Sequence, residues 1–140
     1  MSQHLVTLLL GSNLGNPEKN IEAAKNLIAS EIGTILATSE ILHTQPVEFV
    51  SNNIFCNIAL VLKTQFSPIK LLNLIKGIEF DMGRTEDSLI TKGYVDRVID
   101  IDIVLYDRII FECKTLQIPH VRHLYKRDFS RKLLQSIKTH

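Results

Sequence analysis

The chain has 140 residues, 45% of them hydrophobic and 22% charged, with a formal net charge of +1. That size and balance fit one globular domain over 1–140 and leave little room for two. Near-neutral bulk charge gives no reason to expect nucleic acid or an anionic membrane as partner, and no run approaches the roughly 20 apolar residues of a membrane-spanning helix.

Met1-Ser2-Gln3-His4 carries no basic region and no signal-peptide pattern, so the expected location is the cytoplasm. His4 to Leu10 is an apolar run that predicts a buried strand. Gly11-Ser12-Asn13-Leu14-Gly15 then punctuates it. Lacking the Gly-Lys-Ser/Thr ending of a P-loop, this segment reads either as a glycine-enabled turn or as a phosphate cradle. Asn16 is a candidate N-cap with Pro17 at the first helical position. Ile21, Ala24, Leu27 and Ile28 follow at helical spacing, and Gly33 ends the helix. Thr34 to His43 reads as a strand broken by Thr44-Gln45-Pro46, and Phe55 to Leu62 as another.

Ser67-Pro68 opens a second helix, again a cap followed by proline. Leu71, Leu72, Ile75, Ile78 and Met82 form its apolar stripe, and Gly83 stops it. Glu79 lies close to that stripe, where an acid is costly to bury without a partner; the alternative is a helix-edge residue in water. Residues 84–97 are polar and aperiodic, a length that suits a functional lid or a disordered segment. Ile99 to Tyr106 reads as a strand, with Arg108 to Phe111 as a short hairpin return. Asp128 or Ser130 begins a last helix with Phe129, Leu133, Leu134 and Ile137 on one face. The order βαββαβ plus an extension predicts an α+β ferredoxin-like sandwich. Its sheet is mainly antiparallel, with helices packed on it and a C-terminal helical extension.

The chemistry concentrates in Arg97-Val98-Ile99-Asp100-Ile101-Asp102-Ile103-Val104. In a strand, positions two apart share a face, so Asp100 and Asp102 project together and Ile99, Ile101 and Ile103 project oppositely. Adjacent like charges destabilise a strand. A hard divalent cation offsets the repulsion, magnesium carrying phosphates being the usual case; the alternative is a solvated strand edge. An aspartyl-phosphate phosphatase would place its nucleophile after the apolar strand, whereas here the apolar Ile103-Val104-Leu105 follows the pair. Arg84 and Arg97 bracket the polar segment and suit bidentate phosphate contacts, or else are solvated loop cations. Residues 122–132 gather Arg122, Lys126, Arg127, Arg131 and Lys132 against one acid, Asp128. Cys56 and Cys113 belong to no motif and read as free thiols in a reducing compartment. His120 and His123 have the i, i+3 spacing of metal ligands, but no neighbouring cysteine or acid cluster supports that role.

Together these segments resemble the 6-hydroxymethyl-7,8-dihydropterin pyrophosphokinase family. The likeness runs from Leu8 to about Phe129. It is carried by Gly11-Ser12-Asn13-Leu14-Gly15, Thr44-Gln45-Pro46, Phe55-Cys56-Asn57, Ile78-Glu79 with Gly83-Arg84, the Arg97-to-Val104 signature, and Ile118-Pro119-His120 with Arg127-x-Phe129. Val95-Asp96 stand where the family has Gly-Pro or a close variant. Thr85, Glu86, Lys92 and Tyr94 occupy the lid where it tends to carry a second arginine and a tryptophan.

The resemblance implies transfer of pyrophosphate from ATP to the hydroxymethyl oxygen of the dihydropterin, with two magnesium ions on Asp100 and Asp102. It implies Arg84, Arg97, Asp100 and Asp102 as catalytic residues. Leu72, Lys76, Glu79, Arg84, Arg97, Ile103, His120 and Arg127 fall on ATP. Gly11, Thr44, Pro46, Val47, Phe55, Asn57 and Phe129 fall on the pterin. A monomer or weak homodimer is expected. Two other classes compete: a ferredoxin-like module that binds a small ligand without turnover, and a phosphatase using Asp100.

Overall fold

A computed structural model describes residues 3–44, 55–83, 98–120 and 128–137. The elements run β1 (His4–Ser12), α1 (Pro17–Glu31), β2 (Gly33–Thr38), β3 (Leu42–Thr44), β4 (Phe55–Thr64), α2 (Pro68–Asp81), β5 (Asp100–Tyr106), β6 (Phe111–Cys113), β7 (Leu116–Ile118) and α3 (Asp128–Ile137). The main sheet has the order β2-β4-β1-β5, with β3 also pairing β4. Every pairing in it is antiparallel. With β2 and β3 counted together as the second strand, this is the βαββαβ order expected of a ferredoxin-like sheet.

Both long helices start as their sequences dictate. The Asn16 side chain accepts from the Lys19 N–H, and Ser67 accepts from the Lys70 N–H, each just ahead of a proline in the first turn. Gly83, at φ +112°, follows the end of α2 in the left-handed region that glycine adopts without strain.

The two faces of the sheet are built from alternate residues of the same strands. On one face Val6, Leu8 and Leu10 of β1, Cys56, Ile58, Leu60 and Leu62 of β4, and Ile101 and Ile103 of β5 are buried. They pack with Ile21, Ala24 and Ile28 of α1 and Leu71, Ile75 and Ile78 of α2. On the other, Leu9, Ala59 and Val104 form a smaller cluster with Leu133 and Ile137 of α3. The C-terminal helix therefore covers the face that α1 and α2 leave.

Three expectations change. The predicted Thr34–His43 strand is two strands, because the chain leaves the ladder at Ser39, whose hydroxyl accepts from the Ala59 N–H at 2.8 Å. β1 continues through Gly11 and Ser12 rather than ending at Leu10. The hairpin after β5 is not a return of Arg108–Phe111 onto β5. Phe111–Cys113 pairs instead with Leu116–Ile118 as a separate small sheet. Among the described residues no helix is long and apolar enough to cross a membrane.

Candidate active site

One end of the sheet gathers the polar residues. The C-terminal ends of β1 and β3 meet the N-terminal ends of β4 and β5 there. Gly11 stands opposite Asn57 on one side and opposite Asp100 on the other. Asn57, Gly11 and Asp100 thus form a row across three strands. Leu9 likewise lies between Ala59 and Asp102. Phe55, Asn57, Asp100 and Asp102 share the sheet face away from α1 and α2, by the period-two alternation that sends Cys56, Ile101 and Ile103 into the helix-side core.

Gly11 has a specific reason to be glycine. A Cβ added there would stand 2.8 Å from the Asn57 Oδ1 and 3.8 Å from its Cγ. The missing side chain is the space that the Asn57 carboxamide occupies. Asn57 is itself buried, at 7% exposure, while Asp100 and Asp102 are half-buried. The chain beyond β1 is pinned from α1. Asn20 donates its amide N–H groups to the Ser12 hydroxyl at 3.1 Å and to the Leu14 carbonyl at 2.7 Å. Gly15, at φ +64°, completes that turn.

Two contacts fix the aspartate strand from outside its ladder. β5 is an edge of the described sheet and so carries an outward row of backbone groups. Glu79 of α2, only 5% exposed, accepts the Ile101 N–H at 2.8 Å. Of the two readings left open for Glu79, burial with a partner is the one realised, and the partner is the peptide between the two aspartates. Past the small β6–β7 hairpin, the His120 N–H donates to the Val104 carbonyl at 2.9 Å. This draws the His120 segment alongside β5.

The remaining expected residues divide clearly. Leu72 is half-buried and Lys76 exposed on α2, in line with Glu79 at i, i+4 and i+7 spacing. Ile103, expected at the nucleotide, has only its backbone to offer there. Its side chain is 3% exposed in the helix-side core, because it alternates with Asp102 and faces away from it. Thr44 ends β3 and Phe129 lies in the first turn of α3, with only their backbones described. Pro46, Val47, Arg84, Arg97 and Arg127 lie outside the described residues. The sequence reading missed Asn20 as the anchor of the Ser12–Leu14 turn. Asparagine within the second turn of a helix was its only signal.

Residues 7–139 match the family model described as 7,8-dihydro-6-hydroxymethylpterin-pyrophosphokinase. The chain is 34% identical over 137 residues to the 2-amino-4-hydroxy-6-hydroxymethyldihydropteridine pyrophosphokinase of Porphyromonas gingivalis, covering 95% of this chain and 90% of that protein. To the Bacillus subtilis protein of the same name it is 33% identical over 127 residues, 90% of this chain and 73% of that one. Among solved structures, wild-type HPPK-DHPS of Plasmodium falciparum with pteroate superposes with a TM-score of 0.73 at 17% identity over 97% of this chain. The chain spans 39% of that longer protein, and at this identity the likeness is one of fold.

Proposed function

Since the chain belongs to the 7,8-dihydro-6-hydroxymethylpterin-pyrophosphokinase family, we infer that it transfers pyrophosphate to the hydroxymethyl group of 6-hydroxymethyl-7,8-dihydropterin, a step of folate biosynthesis. ATP is the donor in this reading, AMP the second product, and two magnesium ions on Asp100 and Asp102 the metal requirement. The observation that carries it is the Asn57–Gly11–Asp100 row. A group able to read a heterocycle edge and a carboxylate able to hold a metal stand on one face, on the strands either side of a residue with no side chain.

The donor set fits magnesium. Asp100 and Asp102 are hard oxygen ligands on one face of one strand, half-buried, with the isoleucines between and beside them turned away. Bound there, magnesium would neutralise phosphate charge and polarise the phosphoryl group that is attacked.

The chain's own residues supply position. Asn57 offers a donor and an acceptor from one carboxamide, which matches the alternating edge of a pterin. Phe55, two residues earlier on the same face, offers a ring for stacking, and Phe129 is its proposed counterpart. Gly11, Thr44, Pro46 and Val47 complete the pterin side. Leu72, Lys76 and His120 line the nucleotide side, with Arg84, Arg97 and Arg127 as phosphate ligands. Glu79 acts on this machinery through the Ile101 peptide, holding the spacing of the two aspartates. Attack on phosphorus needs in-line placement and charge neutralisation more than a covalent intermediate, so no general base is assigned. Residues 84–97 serve as the lid that keeps water from the donor.

One assay tests the reading. The protein is mixed with ATP, magnesium and the reduced hydroxymethylpterin, and AMP is followed beside the pterin product. Magnesium-dependent AMP with pyrophosphorylated pterin supports it. Ligand binding without AMP would overturn it in favour of a non-catalytic binding module, and phosphate release from a phosphomonoester through Asp100 would favour a phosphatase.

A further inference from the structure

The helix side of the same sheet end holds a second set of metal-ligand atoms. His43 of β3 and Cys56 of β4 are directly opposed in the ladder, which puts their side chains on one face as close neighbours. Glu18, in the first turn of α1, reaches the same point. Its Oε1 lies 3.2 Å from the His43 Nε2. One ligand atom from each of the three residues falls within 4.8 Å of the other two. A tetrahedral ion with bonds of about 2.0 to 2.3 Å needs ligands roughly 3.3 to 3.8 Å apart. The histidine–glutamate distance is already near that value, and a small rotation of exposed side chains brings the sulfur into range.

We propose that Glu18, His43 and Cys56 form a zinc-binding site, with water as the fourth ligand. The ligand types choose the ion. Thiolate and imidazole suit zinc, whereas magnesium takes oxygen ligands and is served by the Asp100–Asp102 pair on the opposite face. The placement of the atoms makes the site accessible. Glu18 and His43 are exposed and Cys56 is buried beneath them, so the ion enters from solvent and seats on the sulfur. Burial first, and the Glu18 charge second, push the Cys56 thiol up. The free sulfur therefore keeps its proton, and zinc displaces that proton to water as the Zn–S bond forms.

The site is distinct from the pyrophosphokinase machinery yet touches its frame. His43 adjoins Thr44, and Cys56 sits between Phe55 and Asn57. An ion there ties α1, β3 and β4 together under the end of the sheet where the pterin is assigned.

Zinc titrated into the reduced, metal-free protein tests this without ATP or pterin, so its outcome is independent of the pyrophosphokinase reading. One ion should bind per chain. His43→Gln and Glu18→Gln should each weaken binding by about tenfold or more, since losing even an outer-shell partner of a ligand costs that much. Cobalt in place of zinc should give a sulfur-to-metal charge-transfer band. The band should persist in Cys113→Ser, which removes the exposed thiol, and vanish in Cys56→Ser. Should Cys56→Ser disturb the core, the two surface variants carry the test alone. Unchanged zinc affinity in both surface variants, or a cobalt complex without the thiolate band, would overturn the site. So would zinc binding that is lost only with Asp100→Asn and Asp102→Asn.

Discussion

The two faces of the sheet are made from the same strands but obey different rules. On the helix side, Leu10, Ile58, Ile101 and Ile103 fill a continuous core with α1 and α2. On the other, one residue along each strand, Gly11, Asn57, Asp100 and Asp102 occupy the corresponding end. The helix side is built for burial and contributes stability. The opposite end keeps charge, amide and empty space in close register. Such an arrangement adds little to stability, since like charges on one strand repel. β5 shows both rules in one segment, Asp-Ile-Asp-Ile, which makes it the place to separate them.

The largest effect is expected on the functional face. Asp102→Ala should lower turnover at least about a thousandfold, the several kcal/mol that the proposed metal platform would supply, while the unfolding midpoint moves far less than in a core substitution. Near-normal AMP formation would refute the metal role. Its neighbour should behave in the opposite sense. Ile101 is 4% exposed in the core, so Ile101→Ala should cost about 2 to 5 kcal/mol of stability. Denaturant unfolding measures that loss, and kcat well below the midpoint should hold within a few-fold. Adjacent residues with interchanged phenotypes would establish that the two faces divide the work.

A smaller effect tests the space between the strands. In Gly11→Ala the new methyl would stand 2.8 Å from the Asn57 Oδ1, so the carboxamide must shift. KM for the pterin should rise about tenfold, roughly 1.4 kcal/mol, with KM for ATP nearly unchanged. Equal changes in both would mean that Asn57 is not the group reading the pterin.

Much of this contrast is readable in the sequence because period-two alternation is a local property. Asp100, Ile101, Asp102 and Ile103 declare their faces without any tertiary information. The caps at Asn16 and Ser67 are equally local, each a hydrogen-bonding side chain just before a proline. Features that depend on distant partners are not legible. The break at Ser39 comes from its bonds to Ala59. The β6–β7 hairpin turns through Lys114 and Thr115, without the glycine or asparagine that usually marks a two-residue turn. Glu79 looks like a helix-edge acid until the Ile101 peptide is placed against it. The Glu18–His43–Cys56 cluster is the extreme case, since its ligands come from a helix and two strands spread along the chain.

The smallest expected effect comes from the third aspartate of this region, at the other end of β5. Asp107 follows the strand at φ +48°. Its carboxylate accepts the Leu5 N–H at 2.7 Å and bonds the His4 Nδ1 at 2.7 Å. Burial pushes its pKa up, but the Leu5 N–H together with the bond and charge of His4 outweighs that and holds the carboxyl below its ordinary value. A carboxyl lowered on folding stabilises the native state above its unfolded pKa of about 3.9, and that contribution is lost as pH falls through the lower folded value. Asp107→Asn should therefore lower the unfolding midpoint slightly at neutral pH and by progressively less as pH falls below the unfolded value, where the wild-type carboxyl becomes protonated. Turnover should be untouched. A variant whose deficit stays constant across that range would show that the geometry of the β1–β5 end, rather than the charge, is what Asp107 supplies. Either way it calibrates Asp102→Ala. An aspartate held by a backbone N–H and a histidine should register in stability alone, whereas one in the proposed metal role should register in turnover.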